Sequence, residues 1–222
     1  MKIFFDFDDF FFDTESEEGM VKDYFGELRR LTGASEEDIQ ETRQRFSGAG
    51  FVVGEVYSPE RHIDFLRERL DFDSAEVKKN ILSFFKDISR YCFEGTEDFL
   101  KRLNRNDIYL LTFGDEKFQL LKVRESGLEK YFQDVIATEG NKLDEIERIV
   151  KRDGFSSGET IVFADNRCGH FVGMRERGIV TIHLKRDTDK YSQDPCTECA
   201  HAVSDFDGLY KILSELSGET TE

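Results

Sequence analysis

Short apolar runs that end abruptly in polar or acidic residues recur along this chain, with helical periodicity in most of the intervals between them. Lys2-Ile3-Phe4-Phe5 is the first and is closed by Asp6 and Asp8. Ile108-Tyr109-Leu110-Leu111, Val135-Ile136-Ala137, Ile161-Val162-Phe163-Ala164 and Val180-Thr181-Ile182-His183-Leu184 follow, with a weaker run at Ala202-Val203. Runs that are apolar at consecutive positions suit strands buried on both faces. Between them, Phe118, Leu120 and Leu121 read as one helix face closed by Gly127, and Ile146, Ile149 and Val150 as another. Leu209, Ile212, Leu213 and Leu216 form a closing amphipathic helix. The alternation predicts an α/β fold with a doubly wound, mainly parallel sheet covered on both faces.

One segment breaks the alternation. Residues 15–92 carry few strand-like runs and several helix starts. Ser35-Glu36-Glu37-Asp38 has the form of a capping box with Asp in the last place. Ser58-Pro59-Glu60 sets an N-cap serine before a first-turn proline. Asp73-Ser74 precedes Val77, Ile81 and Phe84 at helical spacing, and Gly48, Gly50 and Gly54 mark a break between two helices. The expectation is a helical domain over 15–92 inserted into a core of 1–14 and 93–222.

Composition narrows the partners. The 222 residues carry 31 Lys+Arg against 47 Asp+Glu, a net charge of −16 that opposes nonspecific binding to nucleic acid or to an anionic membrane. No apolar run approaches the roughly 20 residues of a membrane helix. The Phe-rich start is broken by Asp6, Asp8, Asp9 and Asp13, which excludes a signal peptide. Without such a signal, Cys92, Cys168, Cys196 and Cys199 point to free thiols in a reducing, cytoplasmic setting. Cys196-x-x-Cys199 with His201 nearby also raises zinc, with Cys168, His170 or His183 to complete the ligands. Free thiols beside an exposed polar connection over 187–194 are the plainer reading of that motif. The 22 Phe residues are read as core.

Phe5-Asp6-Phe7-Asp8-Asp9 sets two carboxylates two residues apart at a strand end, on one face if the extended geometry persists. An isolated pair of this kind is ordinarily a solvated loop, and its repulsion otherwise calls for a cation or a shared proton. The rest of the chain supplies a context. Asp6-Phe7-Asp8-Asp9-Phe10, then Leu111-Thr112-Phe113-Gly114-Asp115, then Gly140-Asn141-Lys142, then Phe163-Ala164-Asp165 occur in order, each beside a predicted strand end or helix start. In this the sequence resembles the haloacid dehalogenase-like (HAD) hydrolases across essentially its whole length, including the subgroup with a helical cap after the first motif. The resemblance implies a Rossmann-like core. It further implies Mg2+-dependent hydrolysis of a small phosphorylated metabolite, with Asp6 as nucleophile and Asp8 as general acid/base, a role that calls for a raised pKa. Thr112, Phe113 and Lys142 would hold the phosphoryl group. Asp6, Asp8 through its backbone carbonyl, and Asp165 would hold the magnesium.

Two positions depart from the family pattern. Phe10 replaces the usual Thr, where a large ring would crowd the Asp8 loop, and Gly169 stands where a second motif-four acid is common. Asn166 is an alternative oxygen ligand nearby. A dehalogenase, a phosphomutase and a ligand-binding protein without turnover are the rival readings. Tyr24, Arg43, Arg45, Tyr57 and Arg61 are polar insert residues that could reach a ligand.

Overall fold

The structure, a computed structural model, describes residues 1–46, 56–156, 158–186 and 195–218. The Gly48–Gly54 break and the 187–194 connection lie outside the described residues. Among the described residues, six strands form one sheet: β1 (Lys2–Phe5), β2 (Ile108–Phe113), β3 (Asp134–Thr138), β4 (Ile161–Asp165), β5 (Val180–Leu184) and β6 (His201–Val203). Their order is β3-β2-β1-β4-β5-β6, and every pair is parallel. Each apolar run of the sequence is therefore a strand, and all the strand C-termini open on one edge.

Residue alternation explains how a continuous apolar run is buried. Ile3 and Phe5 of β1 join a cluster with Leu110, Val162, Ala164 and Ile182. Phe4 points to the other side, among Tyr109, Leu111 and Phe163. The first face is covered by α5 (Thr96–Lys101), α6 (Glu116–Glu125) and α8 (Phe206–Ser217), through Phe99, Phe118, Val123, Leu209 and Leu213. The second is covered by α7 (Lys142–Asp153), through Ile146 and Ile149. Strands buried on both faces have no need of polar alternation, as the sequence pattern implied.

Between β1 and α5, the α-helices among the described residues are α1 (Met20–Thr32), α2 (Glu36–Arg43), α3 (Pro59–Arg67) and α4 (Ser74–Phe84). The capping box forms as expected, with Ser35 and Asp38 satisfying each other's backbone N–H groups. Asp73 caps α4 by accepting from Ala75 and Glu76. Ser58 holds the N-cap position and Pro59 the first turn of α3, but the serine side chain makes no cap bond. Helix α1 packs on α4, and α3 packs on both α2 and α4. The outgoing and returning chains run side by side: Asp13 N–H donates to the Tyr91 carbonyl at 2.7 Å and Phe93 N–H to the Phe11 carbonyl at 3.0 Å.

Two expectations fail. Leu120 is exposed, while the polar Gln119 and Lys122 of the same helix are buried. Those two turn inward because they find partners there, described below. The expectation of four free thiols also fails: Cys168 and Cys196 form a disulfide, leaving Cys92 and Cys199 free. Folding brings the turn after β4 against the segment before β6, a proximity that a sequence separation of 28 conceals. Among the described residues, no helix is long and apolar enough to cross a membrane.

Candidate active site

The chain turns sharply as soon as it leaves β1. Asp6 N–H donates to the Ala164 carbonyl at 3.0 Å, continuing the β1–β4 ladder by one residue. The Phe7 carbonyl then accepts from Phe10, Phe11 and Phe12, and Asp9 N–H donates to the Phe12 carbonyl at 2.7 Å. This turn requires a left-handed residue, which is Asp9 at φ 57°. Aspartate tolerates that conformation better than most side chains. Its Oδ1 accepts from the N–H groups of Thr14 and Glu15 at 3.0 and 2.9 Å, which pins the turn. Burial, then the neighbouring Asp8 charge, push the Asp9 carboxyl up to about 7.

Because the strand geometry stops here, Asp6 and Asp8 serve separate ion pairs. Asp6 pairs with Lys142, whose Nζ lies 2.8 Å from Asp6 Oδ1 and 2.8 Å from Asp165 Oδ2. All three are nearly inaccessible. Lys142 opens α7, whose N-cap Asn141 accepts from Leu143 N–H at 2.8 Å. Asp165 ends β4, and its Oδ1 accepts from Arg167 N–H at 2.8 Å while His170 Nδ1 lies 2.7 Å from Oδ2. Burial and the Asp165 charge raise the Asp6 carboxyl to about 6, against the opposing influence of Lys142 and His170. Burial would raise Asp165 as well, but His170 and Lys142 together hold it well below the carboxylate range. Burial would lower Lys142, yet Asp165 and Asp6 carry it above its ordinary value. Two carboxylates around one ammonium thus share the burden unequally, with Asp6 the readier to take a proton.

Asp8 faces α6 instead. Lys122 Nζ and Thr14 Oγ1 both donate to Asp8 Oδ1 at 2.5 Å. Burial pushes the Asp8 carboxyl up, but the Lys122 charge and hydrogen bonds from Lys122, Thr14 and Gln119 outweigh it, and the net direction is down. The raised pKa expected of a general acid is therefore reversed in this state, because a buried cation faces Asp8 directly.

Thr112, fully buried near the end of β2, donates from Oγ1 to Gln119 Oε1 at 3.2 Å, and Gln119 Nε2 donates to the Phe113 carbonyl at 2.9 Å. The Phe113 side chain is exposed. Gly114, at φ 144°, makes this possible: a Cβ there would lie 2.5 Å from Gln119 Nε2. The structure thus joins Asp6, Lys142 and Asp165 through ion pairs, and gives Asp8, Thr112 and Phe113 to the neighbouring network around α6.

Phe10 does not crowd the Asp8 loop. Its ring lies in the core against Phe5, Phe11 and Phe206, and its carbonyl accepts from Arg186 at 3.0 Å. Thr14, four residues further on, supplies the hydroxyl that reaches Asp8. The sequence reading missed Lys122, Thr14 and Gln119. One signal was present: Lys122 lies four residues after Phe118, on the same face of α6. Of the insert residues singled out, Tyr57 donates to Tyr24 at 3.0 Å inside the insert, Arg43 pairs with Glu15 at 2.9 Å and Arg45 with Glu68 at 2.6 Å.

The donor set can be tested against magnesium. Asp6, Asp165 and His170 offer ligand atoms that all lie within 4.8 Å of one another. Two converging buried carboxylates match a hard cation that takes oxygen and keeps several waters. His170, already against Asp165, is a less suitable ligand for it. The Asp8 carboxylate, committed to Lys122, is not in this group, so its part in metal binding would rest on its backbone carbonyl alone.

No family model matches the chain, and no curated protein matches it. Solved structures do. A haloacid dehalogenase-like hydrolase from Burkholderia xenovorans LB400 superposes with a TM-score of 0.74 at 16% identity, over 96% of each chain. A HAD-hydrolase from Bacillus subtilis, solved bound to magnesium, gives 0.60 at 17% identity over 96% of this chain and 97% of its own. A protein assigned as a phosphatase from Clostridium difficile gives 0.59 at 18% identity over 95% and 97%. Dehalogenases and a protein assigned as a β-phosphoglucomutase share the architecture too. The chain has the haloacid dehalogenase-like fold, with its buried Asp6–Lys142–Asp165 group at the carboxyl edge of the sheet.

Proposed function

We propose that the protein is a magnesium-dependent phosphatase acting on a small phosphate monoester. The observation that carries this reading is the buried Asp6–Lys142–Asp165 group. It lies between β1 and β4, where the strand order reverses and open α/β sheets bind their ligands. Asp6 attacks phosphorus in line and takes up the phosphoryl group as an aspartyl-phosphate, which water then hydrolyses. Lys142 and Thr112, with Phe113, steady the phosphoryl oxygens. Asp6 and Asp165, with the Asp8 backbone carbonyl, would hold magnesium, which neutralises charge between an anionic nucleophile and an anionic substrate.

Asp8, kept ionised by Lys122, suits the second half of the reaction, in which it accepts a proton from the attacking water. Protonating the leaving group in the first half calls for a proton on Asp8 and an opened Lys122 contact. The insert over 15–92 acts as a cap that selects the substrate, and a cytoplasmic setting fits a metabolite substrate.

The test is hydrolysis of p-nitrophenyl phosphate with and without magnesium, beside Asp6→Asn. Magnesium-dependent turnover that falls at least ~10³-fold in the variant supports the proposal. No metal dependence, or an unchanged variant, overturns it. The ionised state of Asp8 favours one rival, a ligand-binding protein without turnover. Phosphate binding that needs Lys142, without any hydrolysis, would select that reading.

A further inference from the structure

A second cluster of ligand-type side chains lies on the other side of β4 from Asp6. Ligand atoms of His183, Cys196 and Cys199 all lie within 4.8 Å of one another, and Cys168 is bonded to Cys196. The donors are sulfur and imidazole nitrogen, which suit a soft or borderline cation and not magnesium. The histidine carries the independent observation. His183 is fully buried, and its Nε2 lies 2.8 Å from the Asn166 carbonyl. A carbonyl only accepts, so Nε2 is the donating nitrogen of that contact and Nδ1 is the ring nitrogen it leaves over. Nδ1 is buried without a hydrogen-bond partner among the described residues. A backbone carbonyl that fixes one ring nitrogen while the other is left bare is the outer-shell arrangement of metal-binding histidines.

The frame around these residues is ordered by the sheet. His183 sits on β5 in register with Asp165 of β4. Ala200 N–H donates to the Thr181 carbonyl at 3.0 Å, and Thr181 Oγ1 donates to the Glu198 carbonyl at 3.0 Å. These bonds hold the Cys196-x-x-Cys199 turn against β5.

We propose that this is a zinc site of Cys168, Cys196, Cys199 and His183, available when the Cys168–Cys196 disulfide is reduced. A dithiol reductant supplies two electrons and two protons: the Sγ–Sγ bond breaks into two thiols, and the reductant closes into its own disulfide. Zinc then takes three thiolates and the neutral His183 Nδ1, releasing three protons. Tetrahedral coordination by three sulfurs and one nitrogen closes the site, so its role is structural. It fastens the turn after β4, which carries His170, to β5 and the approach to β6. The oxidised chain substitutes a covalent bond for the metal.

The full chain, reduced with a phosphine and kept anaerobic, is titrated with cobalt(II). This ion reports tetrahedral thiolate sites by charge-transfer and ligand-field absorption. One equivalent should bind with these bands and be displaced by one equivalent of zinc. Affinity should fall at least ~10-fold in Cys199→Ser and be unchanged in Asp6→Asn. Bands absent from the reduced chain, or unchanged in Cys199→Ser, overturn the proposal. Should that variant fail to fold, alkylation of the reduced native chain decides. Zinc should shield Cys168, Cys196 and Cys199, and equal labelling with and without zinc refutes the site.

Discussion

Replacing Lys122 with methionine would isolate the charge that governs Asp8. Lys122 is 2% exposed and Asp8 18%, their contact is 2.5 Å, and the ammonium lies 5.6 Å from the Phe7 ring centroid and 5.1 Å from that of Phe118. Methionine fills similar apolar space and leaves Asp8 facing it. Stranding one member of such a buried pair costs roughly 3–5 kcal/mol. Asp8 can escape by taking a proton, and this bounds the loss. From an unfolded value of about 3.9, holding a proton at pH 7.5 costs about 5 kcal/mol, and at pH 5 about 1.5 kcal/mol. The sign follows from the direction of the shift. Asp8 is depressed in the native chain, so its pair contributes stability above the unfolded value and loses it as pH falls through the folded one. Lys122→Met removes that contribution, so its deficit should be about 3–5 kcal/mol at pH 7.5 and at most about 2 kcal/mol at pH 5. Urea unfolding followed by circular dichroism measures both, a suitable probe for a chain without tryptophan. A deficit below about 1 kcal/mol at pH 7.5, or one that does not shrink on acidification, would refute the reasoning.

Two further substitutions test neighbouring features. Asp9, raised to about 7 by burial and then by Asp8, burdens the fold increasingly as pH rises from its unfolded value toward 7. Asp9→Asn should therefore stabilise by up to about 4 kcal/mol at pH 8 and about 1.5 kcal/mol at pH 5. Melting curves at the two pH values check this, and a loss or a pH-independent gain contradicts it. Phe10→Thr, which would bring the turn closer to the family pattern, should instead cost about 3–5 kcal/mol by emptying core volume beside Phe5, Phe11 and Phe206. It should not raise hydrolysis; a near-neutral denaturation midpoint with improved turnover would show that the ring belongs to the site after all.

How far apart interacting residues lie in the chain separates what the sequence displays from what it hides. The strands were legible because burial on both faces imposes consecutive apolar residues, a local pattern that Ile3, Phe4 and Phe5 display without reference to the rest of the chain. The placing of Asp6, Lys142 and Asp165 followed, since a strand end or a helix start delivers a side chain to a known edge. The α6 face was misread because apolar periodicity assigns Leu120 to the core. Packing buries Gln119 and Lys122 instead, each satisfied by a residue from another element. Lys122 meets Asp8 across 114 positions, and no local propensity encodes that encounter.

The sequence by itself determined the architecture and the carboxyl edge on which the acids gather, because periodicity and strand ends are short-range properties. Tertiary structure alone decided which cation each acid meets, and hence that Asp6 is raised while Asp8 is lowered. It also decided that Phe10 points into the core and that Cys168 reaches Cys196 beside His183. Each of these depends on the distance between groups remote in the chain, and charge, burial and covalent pairing all depend on that distance.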